Sequence, residues 1–279
     1  MLANLDNEVY FKKVFTDVEV FTAFVKDVLD IDIEVKKVET EKVLLNKVSA
    51  IKFKMDLFAE DVNNRTIVEI QKIDYDYSYD RFSHYFLANL LDVQQDSRSY
   101  AFAKDVYIIV VVTAAFKFKT QENQLIDKDV LLTDLNPRDL KGNVLKINNH
   151  KLVILNTTNI DPETPEAIRD WLDLIHQSIK NPEYPKINTS KKAISKAVKL
   201  ADYKKVTPEQ LYEAKIEASR KEAREYFDDI AREEGREEGL KAAKIEGIKK
   251  ALQRGKLSPE EIAEDFEVSV DFVKEMLKK

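Results

Sequence analysis

The sequence predicts an α/β fold, in which helices pack on a β-sheet, followed by a helical C-terminal extension. Residues 50–60, AIKFKMDLFAE, alternate between apolar and polar side chains, which is typical of a half-buried strand. Residues 104–113, KDVYIIVVVT, are almost continuously β-branched, which indicates a central strand buried on both faces. Residues 207–253 are rich in Glu, Lys, Arg and Ala, and this composition indicates a charged helix.

The remaining elements follow from local patterns. Apolar side chains at helical spacing predict one helix over residues 7–29. Ser258, Pro259 and Glu261 form the pattern of a capping box, which predicts the start of a short helix near the C-terminus. Further strands are predicted over 33–39, 65–73, 128–134 and 151–156, and further helices over 78–96, 164–179 and 189–203.

The composition excludes several kinds of site. The chain has no cysteine, which excludes disulfides, zinc–thiolate sites and cysteine nucleophiles. Its three histidines are widely spaced, so a histidine-built zinc site is not expected. The net charge of −6 is not that of a basic nucleic-acid binder, although it leaves room for a local basic groove. No apolar run approaches the roughly 18 residues of a membrane span, and no signal peptide is expected, so we predict a cytoplasmic protein with no membrane partner.

Residues 62–65, VNNR, have the chemistry of a turn between two strands. A two-residue turn at Asn63-Asn64 would place Phe58 opposite Glu69. It would also place Asp56 opposite Gln71 and diagonal to Glu69. One face of this hairpin would then carry Asp56, Phe58, Glu69 and Gln71, and the other, apolar face Met55, Leu57, Val68 and Ile70.

Two carboxylates at this spacing suit a hard divalent cation. Mg²⁺, for which Mn²⁺ can substitute, prefers oxygen ligands and binds one or two protein carboxylates, here Asp56 and Glu69. Such a metal can bind a phosphate oxygen and activate a water molecule, which Gln71 could orient. The alternative is that these side chains are the solvated face of a half-buried sheet, since short motifs of this kind have many false positives.

Several blocks, in order, resemble one known family. EVYFKKVF at 8–15 resembles its acid-x-x-Phe-Lys-x-x-Phe opening, and KMDL at 54–57 resembles its R-x-D strand. IVEIQ at 67–71 resembles its I-E-x-Q strand, and RFSHY at 81–85 the helix that follows. The family is the recombination-promoting nuclease and transposase family of the PD-(D/E)XK nuclease superfamily. The resemblance covers nearly the whole chain and is strongest over 8–113.

The resemblance implies a PD-(D/E)XK restriction-endonuclease-like core, with a mixed central sheet flanked by helices. It implies a Mg²⁺-dependent DNA endonuclease of transposase-related type that promotes DNA recombination in mobile elements. Asp56 and Glu69 would be the metal ligands, and Gln71 would occupy the position of the catalytic lysine. The alternative is a catalytically weak or inactive DNA-binding or interaction protein on the same fold, which the missing lysine and the acidic net charge favour.

Glu8 and Lys54 are further candidates, and both depart from the family pattern. Glu8 lies where the family usually has an aspartate. Its other interpretation is an acid in the first turn of a helix, where it complements the helix dipole. Lys54 replaces the more usual arginine, which keeps the charge and loses the bidentate geometry toward phosphate.

Arg81 and Tyr85 lie one turn apart on the same helix face and are the last two candidates. They could contact a DNA phosphate or hold Gln71. Alternatively, Arg81 pairs with Asp80 or Asp74, and Tyr85 packs in the core.

We expect three segments along the chain. Residues 1–185 would form the nuclease-like domain, and residues 186–255 a charged helical extension. The spaced glycines of this extension could mediate a homo-oligomer, even an oligomerising scaffold, or the helix could simply be solvated. Residues 256–279 would form a two-helix tail that packs or docks a partner rather than reading a DNA sequence.

Overall fold

The structure, a computed structural model, describes residues 1–44, 53–71, 79–94, 101–115 and 118–277. Within these ranges the strands are β1 (Glu39–Leu44), β2 (Phe53–Glu60), β3 (Asn64–Gln71), β4 (Asp105–Val112), β5 (Val130–Asp134) and β6 (Lys151–Asn156). The helices are α1 (Glu8–Phe15), α2 (Val18–Leu29), α3 (Asp80–Asp92), α4 (Glu166–Lys180), α5 (Lys192–Leu200), α6 (Pro208–Arg254), α7 (Pro259–Asp265) and α8 (Val270–Leu277). The predicted ends at 50–52, 72–73, 78 and 95–96 lie outside the described residues.

The strands form one mixed sheet in the order β1-β2-β3-β4-β6-β5. β1, β2 and β3 are antiparallel neighbours, β3, β4 and β6 are parallel, and β5 is antiparallel to β6. The prediction that β4 is a central strand buried on both faces is confirmed, because the residues from Val106 to Val112 are all buried. The carboxyl ends of β3, β4 and β6 meet at one edge, where Val112 pairs with Gln71 on one side and Asn156 on the other.

Helices cover both faces of this sheet, as an α/β fold requires. On one face, α1, α2, α4 and α5 bury a core that centres on aromatic rings, with Phe24 and Trp171 in edge-to-face contact at 5.3 Å. The indole N–H of Trp171 donates to Asp27 at 2.8 Å, so its polar atom is satisfied. On the other face, α3 packs its Phe82 and Phe86 against β4 and β6. The expected mixed central sheet flanked by helices is thus present.

The prediction of one helix over residues 7–29 is wrong, because the chain breaks at Thr16 and Asp17. The Asp17 side chain accepts the N–H of Val20 at 3.1 Å and caps a new helix, α2. The strand predicted over 33–39 is also misplaced, since β1 begins only at Glu39.

The chain forms two compact units, Met1–Glu217 and Ala218–Lys279. The first therefore extends past residue 185, where we expected the domain to end. The reason is α5, which buries Ile194 and Ala197 completely in the core that it shares with α2 and α4.

The second unit has a small core of its own, formed by Ile248, Ile262, Ala263 and Val273. Ser258 and Glu261 make the predicted capping box, with Glu261 N–H donating to Ser258 Oγ at 3.2 Å and Ser258 N–H donating to Glu261 at 2.7 Å. Gly247 lets α6 approach the Phe266 ring, which a Cβ atom at this position would meet at 2.5 Å. This glycine therefore serves packing within the unit.

Candidate active site

The β2–β3 hairpin has a register different from the predicted one. Phe58 pairs with Ile67 and Leu57 with Val68, so the predicted pairs Phe58–Glu69 and Asp56–Gln71 are wrong. In the observed register, Asp56 and Glu69 are the next residues beyond the Leu57–Val68 pair. The shift therefore brings Glu69, rather than Gln71, toward Asp56.

Asp61 causes this shift by building a longer turn than Asn63-Asn64 alone would make. Its Oδ1 accepts the backbone N–H groups of Asn63 and Asn64, both at 2.7 Å. Its own N–H donates to the Asn64 carbonyl at 3.0 Å. Such aspartate-centred turns are common between strands, and here the turn spans residues 61–64.

β2 and β3 separate just beyond this ladder. Pairing of β3 with β4 continues to Gln71, whereas the β2–β3 pairs run only from Glu60–Arg65 to Leu57–Val68. At the point of separation, the Asp56 N–H donates to Glu69 Oε1 at 3.1 Å. The Ile70 N–H donates to Asp56 Oδ2, also at 3.1 Å. Carboxylates thus replace carbonyls as acceptors, and each acid is held by the opposite strand.

The alternation of β2 also breaks at Asp56. Met55 packs in the cluster beneath α3, whereas Leu57 packs in the cluster on the other face, so the prediction that they share a face is wrong. On the neighbouring strand, Glu41 adopts a left-handed φ of 60°. Strand irregularities of this kind recur next to functional sites, where they re-aim a side chain.

Three carboxylates converge here from three elements, Glu8 on α1, Glu41 on β1 and Asp56 on β2. One oxygen of each lies within 4.8 Å of the others, and we call this set the carboxylate cluster. Glu8 was a candidate from the sequence. Glu41 was missed, because its segment carries no motif and its strand was placed too early.

Lys12 is the second residue that the sequence interpretation missed. Its Nζ donates to Glu8 Oε2 at 2.9 Å, lies 3.3 Å from Asp56 Oδ1 and donates to Glu41. Burial alone would lower the pKa of Lys12, but the charges of Asp56 and Glu8 outweigh it and raise the pKa. The available signal was its position one helical turn after Glu8.

Burial and like charge perturb the acids of the site. Burial, followed by the negative charge of Asp56, raises the pKa of Glu69 well above its ordinary value. Burial, followed by the charge of Glu8, raises the pKa of Asp56, against which the Lys12 ammonium acts. An additional positive charge beside Asp56 and Glu69 would therefore stabilise their ionised carboxylates.

Gln71 and Lys54 differ in their relation to the cluster. Gln71 is the last residue of β3, and its carbonyl accepts the Thr113 N–H at 3.0 Å. Lys54 forms an ion pair with Glu41, and 59% of its side chain is exposed. The structure thus brings Lys54 to the cluster through a residue that the sequence analysis had not considered.

Arg81 and Tyr85 interact with each other on α3. Arg81 Nη2 donates to the Tyr85 hydroxyl at 3.1 Å, and its guanidinium lies 5.5 Å from the centre of the Tyr85 ring. The positive charge of Arg81 also opposes the rise in the pKa of Glu69, so it acts on the site. Tyr85 packs against the same core cluster as Phe82 and Phe86 of α3. Asp74, an alternative partner, lies outside the described residues.

The donor set fits a divalent cation. Glu8, Glu41 and Asp56 offer hard oxygen atoms around one point. The positive charge of the Lys12 ammonium, which contacts all three, shows that the three carboxylates can hold a cation. The predicted metal ligands were Asp56 and Glu69. The structure places Asp56 within the carboxylate cluster and Glu69 against the Asp56 backbone.

Comparisons of this chain with protein-family models, with curated proteins and with solved structures found no match. Among the helices that the structure describes, none combines the length and the apolar character needed to cross a membrane. The geometry of the site therefore carries the functional argument.

Proposed function

We propose that the chain is a metal-dependent DNA endonuclease, which hydrolyses phosphodiester bonds on a PD-(D/E)XK core of the transposase-related type and promotes DNA recombination. The observation that carries the proposal is the pair of hydrogen bonds that hold Asp56 and Glu69 where β2 and β3 separate. The Asp56 N–H donates to the Glu69 carboxylate, and the Asp56 carboxylate, which lies beside Glu8, accepts from the opposite strand. Acids with raised pKa values at the end of a strand pair are expected at a catalytic site. The observed mixed sheet with helices on both faces is the coarse architecture that the proposal requires.

The acids divide into metal ligands and a positioning residue in this proposal. Glu8, Glu41 and Asp56 would hold Mg²⁺ or Mn²⁺ through their oxygens. A divalent ion held there supplies Lewis-acid polarisation of a phosphate oxygen and activation of a bound water molecule. Glu69 accepts the Asp56 N–H and so fixes the backbone that carries Asp56. Gln71, at the end of the same strand as Glu69, would orient the attacking water.

Positive side chains around the acids support a phosphate-bearing substrate. Lys54 is largely exposed beside Glu41, and Arg81 acts electrostatically on Glu69. Phosphate contacts of this kind supply most of the affinity of proteins for DNA, and they do not require a positive net charge of the whole chain.

A plasmid-nicking assay at low salt tests the proposal. Wild type is compared with Asp56→Ala and Glu69→Ala in Mg²⁺, in Mn²⁺ and in EDTA. Glu122→Ala, which removes an exposed acid from a loop, is the matched control. The expected result is metal-dependent nicking by wild type and the control, with loss in both site variants. Nicking that survives both site substitutions would mean that the chemistry occurs elsewhere.

The second candidate is a DNA-binding or interaction protein that cleaves weakly or not at all. Gln71 favours it, because an amide supplies no positive charge at the position where the PD-(D/E)XK pattern has its catalytic lysine. Wild-type protein that binds DNA but leaves plasmid intact in both metals would establish this candidate in place of the nuclease.

A further inference from the structure

Lys12 places an ammonium group among the oxygens of the carboxylate cluster. Its Nζ lies 2.9 Å from Glu8 Oε2 and 3.3 Å from Asp56 Oδ1, and it also contacts Glu41. Only 14% of the Lys12 side chain is exposed, so solvent screens these contacts weakly. Because Lys12 follows Glu8 by one helical turn, α1 itself directs both side chains to the same point.

The Lys12 ammonium contacts the same three carboxylates that would hold a divalent cation. Carboxylate oxygens within 4.8 Å of one another surround a single central position. Two cations held among the same carboxylates would repel each other. Occupation by the Lys12 ammonium and occupation by a metal ion therefore exclude each other.

We propose that Lys12 is a built-in competitor for the metal site, and that a divalent cation binds only by displacing its ammonium group from Glu8, Glu41 and Asp56. The inference rests on the metal site of the proposed function and adds how that site is regulated. The fraction of molecules in which Lys12 has left the cluster scales the apparent metal affinity. The protein thereby acquires a threshold in the concentration of divalent cation, below which Lys12 stays bound to the carboxylate cluster.

Neighbouring lysines on α1 allow a matched set of full-length variants. Lys12→Met removes the charge and keeps an unbranched side chain, whereas Lys12→Arg keeps the charge. Lys13→Met is the control, because Lys13 Nζ donates to the Lys205 carbonyl at 2.6 Å, whereas within the described residues the cluster contacts from α1 come from Glu8 and Lys12.

Binding of Mn²⁺ is measured from the loss of the EPR signal of the free ion, so no catalytic activity is needed. Lys12→Met is expected to bind Mn²⁺ at least about tenfold more tightly than wild type. Lys12→Arg and Lys13→Met should show no such gain. Thermal unfolding gives a second readout, in which Mn²⁺ raises the midpoint of Lys12→Met more than that of wild type.

The outcomes separate this inference from the function on which it rests. Equal or weaker Mn²⁺ binding by Lys12→Met, with binding by wild type intact, would overturn the competition and leave the metal site standing. Absence of Mn²⁺ binding from wild type and from every variant would overturn both the competition and the proposed metal-dependent nuclease.

Discussion

Asp56 donates its backbone N–H to the Glu69 carboxylate at 3.1 Å, which links the two acids across the point where β2 and β3 separate. A second bond, from the Ile70 N–H to Asp56 Oδ2, runs in the opposite direction between the same strands. The two acids are thus held by strand backbone rather than by a loop. Sites built on regular elements keep their geometry well, which suits a catalytic role.

Glu69→Gln should stabilise the metal-free protein at neutral pH. Burial and the Asp56 charge penalise the ionised Glu69 carboxylate, and glutamine removes that charge while keeping an oxygen for the Asp56 N–H. Because the pKa of Glu69 is raised in the folded state, its stabilising contribution is full below the ordinary pKa of 4.5 and is lost as the pH rises through the raised value.

Urea unfolding in EDTA, over a pH series, measures this effect. The unfolding midpoint of Glu69→Gln should exceed that of wild type increasingly as the pH rises above about 4.5. Glu122→Gln, an exposed control, should follow wild type at every pH. A midpoint for Glu69→Gln below that of wild type at neutral pH would contradict the account.

Asp61→Ala should destabilise the hairpin that positions the site. The substitution removes the acceptor of the Asn63 and Asn64 N–H groups, and the cost is about 1–2 kcal/mol for a half-exposed turn. Chemical denaturation measures it, with the exposed Glu183→Ala as control. Unchanged stability of Asp61→Ala would show that the turn forms without this aspartate.

Two glycines of α6 should respond oppositely to the same substitution. Gly247→Ala places a methyl group against the Phe266 ring and should cost about 1–3 kcal/mol. Gly239→Ala meets no atom within 4 Å and should stabilise the helix by up to about 1 kcal/mol. Thermal melts followed by circular dichroism compare the two, and equal effects would argue against close packing at Gly247.

Strong local patterns made much of the fold predictable. The β-branched run of β4 and the apolar and polar pattern of residues 50–60 depend on neighbouring residues alone, so these two strands could be predicted from the sequence, although the alternation breaks at Asp56. The break at Asp17 also had a local signal, since Thr and Asp are both preferred N-cap residues. Apolar side chains continue at helical spacing on both sides of it, and this spacing favoured one uninterrupted helix.

The carboxylate cluster was harder to predict, because it depends on contacts between distant segments. Asp56 meets Lys12 only after α1 packs beside β2, and Glu41 joins them through a strained backbone on the edge strand. The position of Asp56 opposite Glu69 depends on the length of the turn at Asp61, because a longer or shorter turn changes the pairing partner of every residue in β2 and β3. Local periodicity contains none of this information.

Whether Asp56 belongs to the catalytic site is measured by the Mn²⁺-dependent rate of plasmid nicking by wild type and by Asp56→Asn. This substitution keeps the shape of the side chain and removes a charge that lies 3.3 Å from Lys12 Nζ and that raises the pKa of Glu69. We expect nicking by wild type that EDTA abolishes, and a rate at least about 100-fold lower for Asp56→Asn. Nicking by Asp56→Asn at the wild-type rate would contradict the assignment of the site.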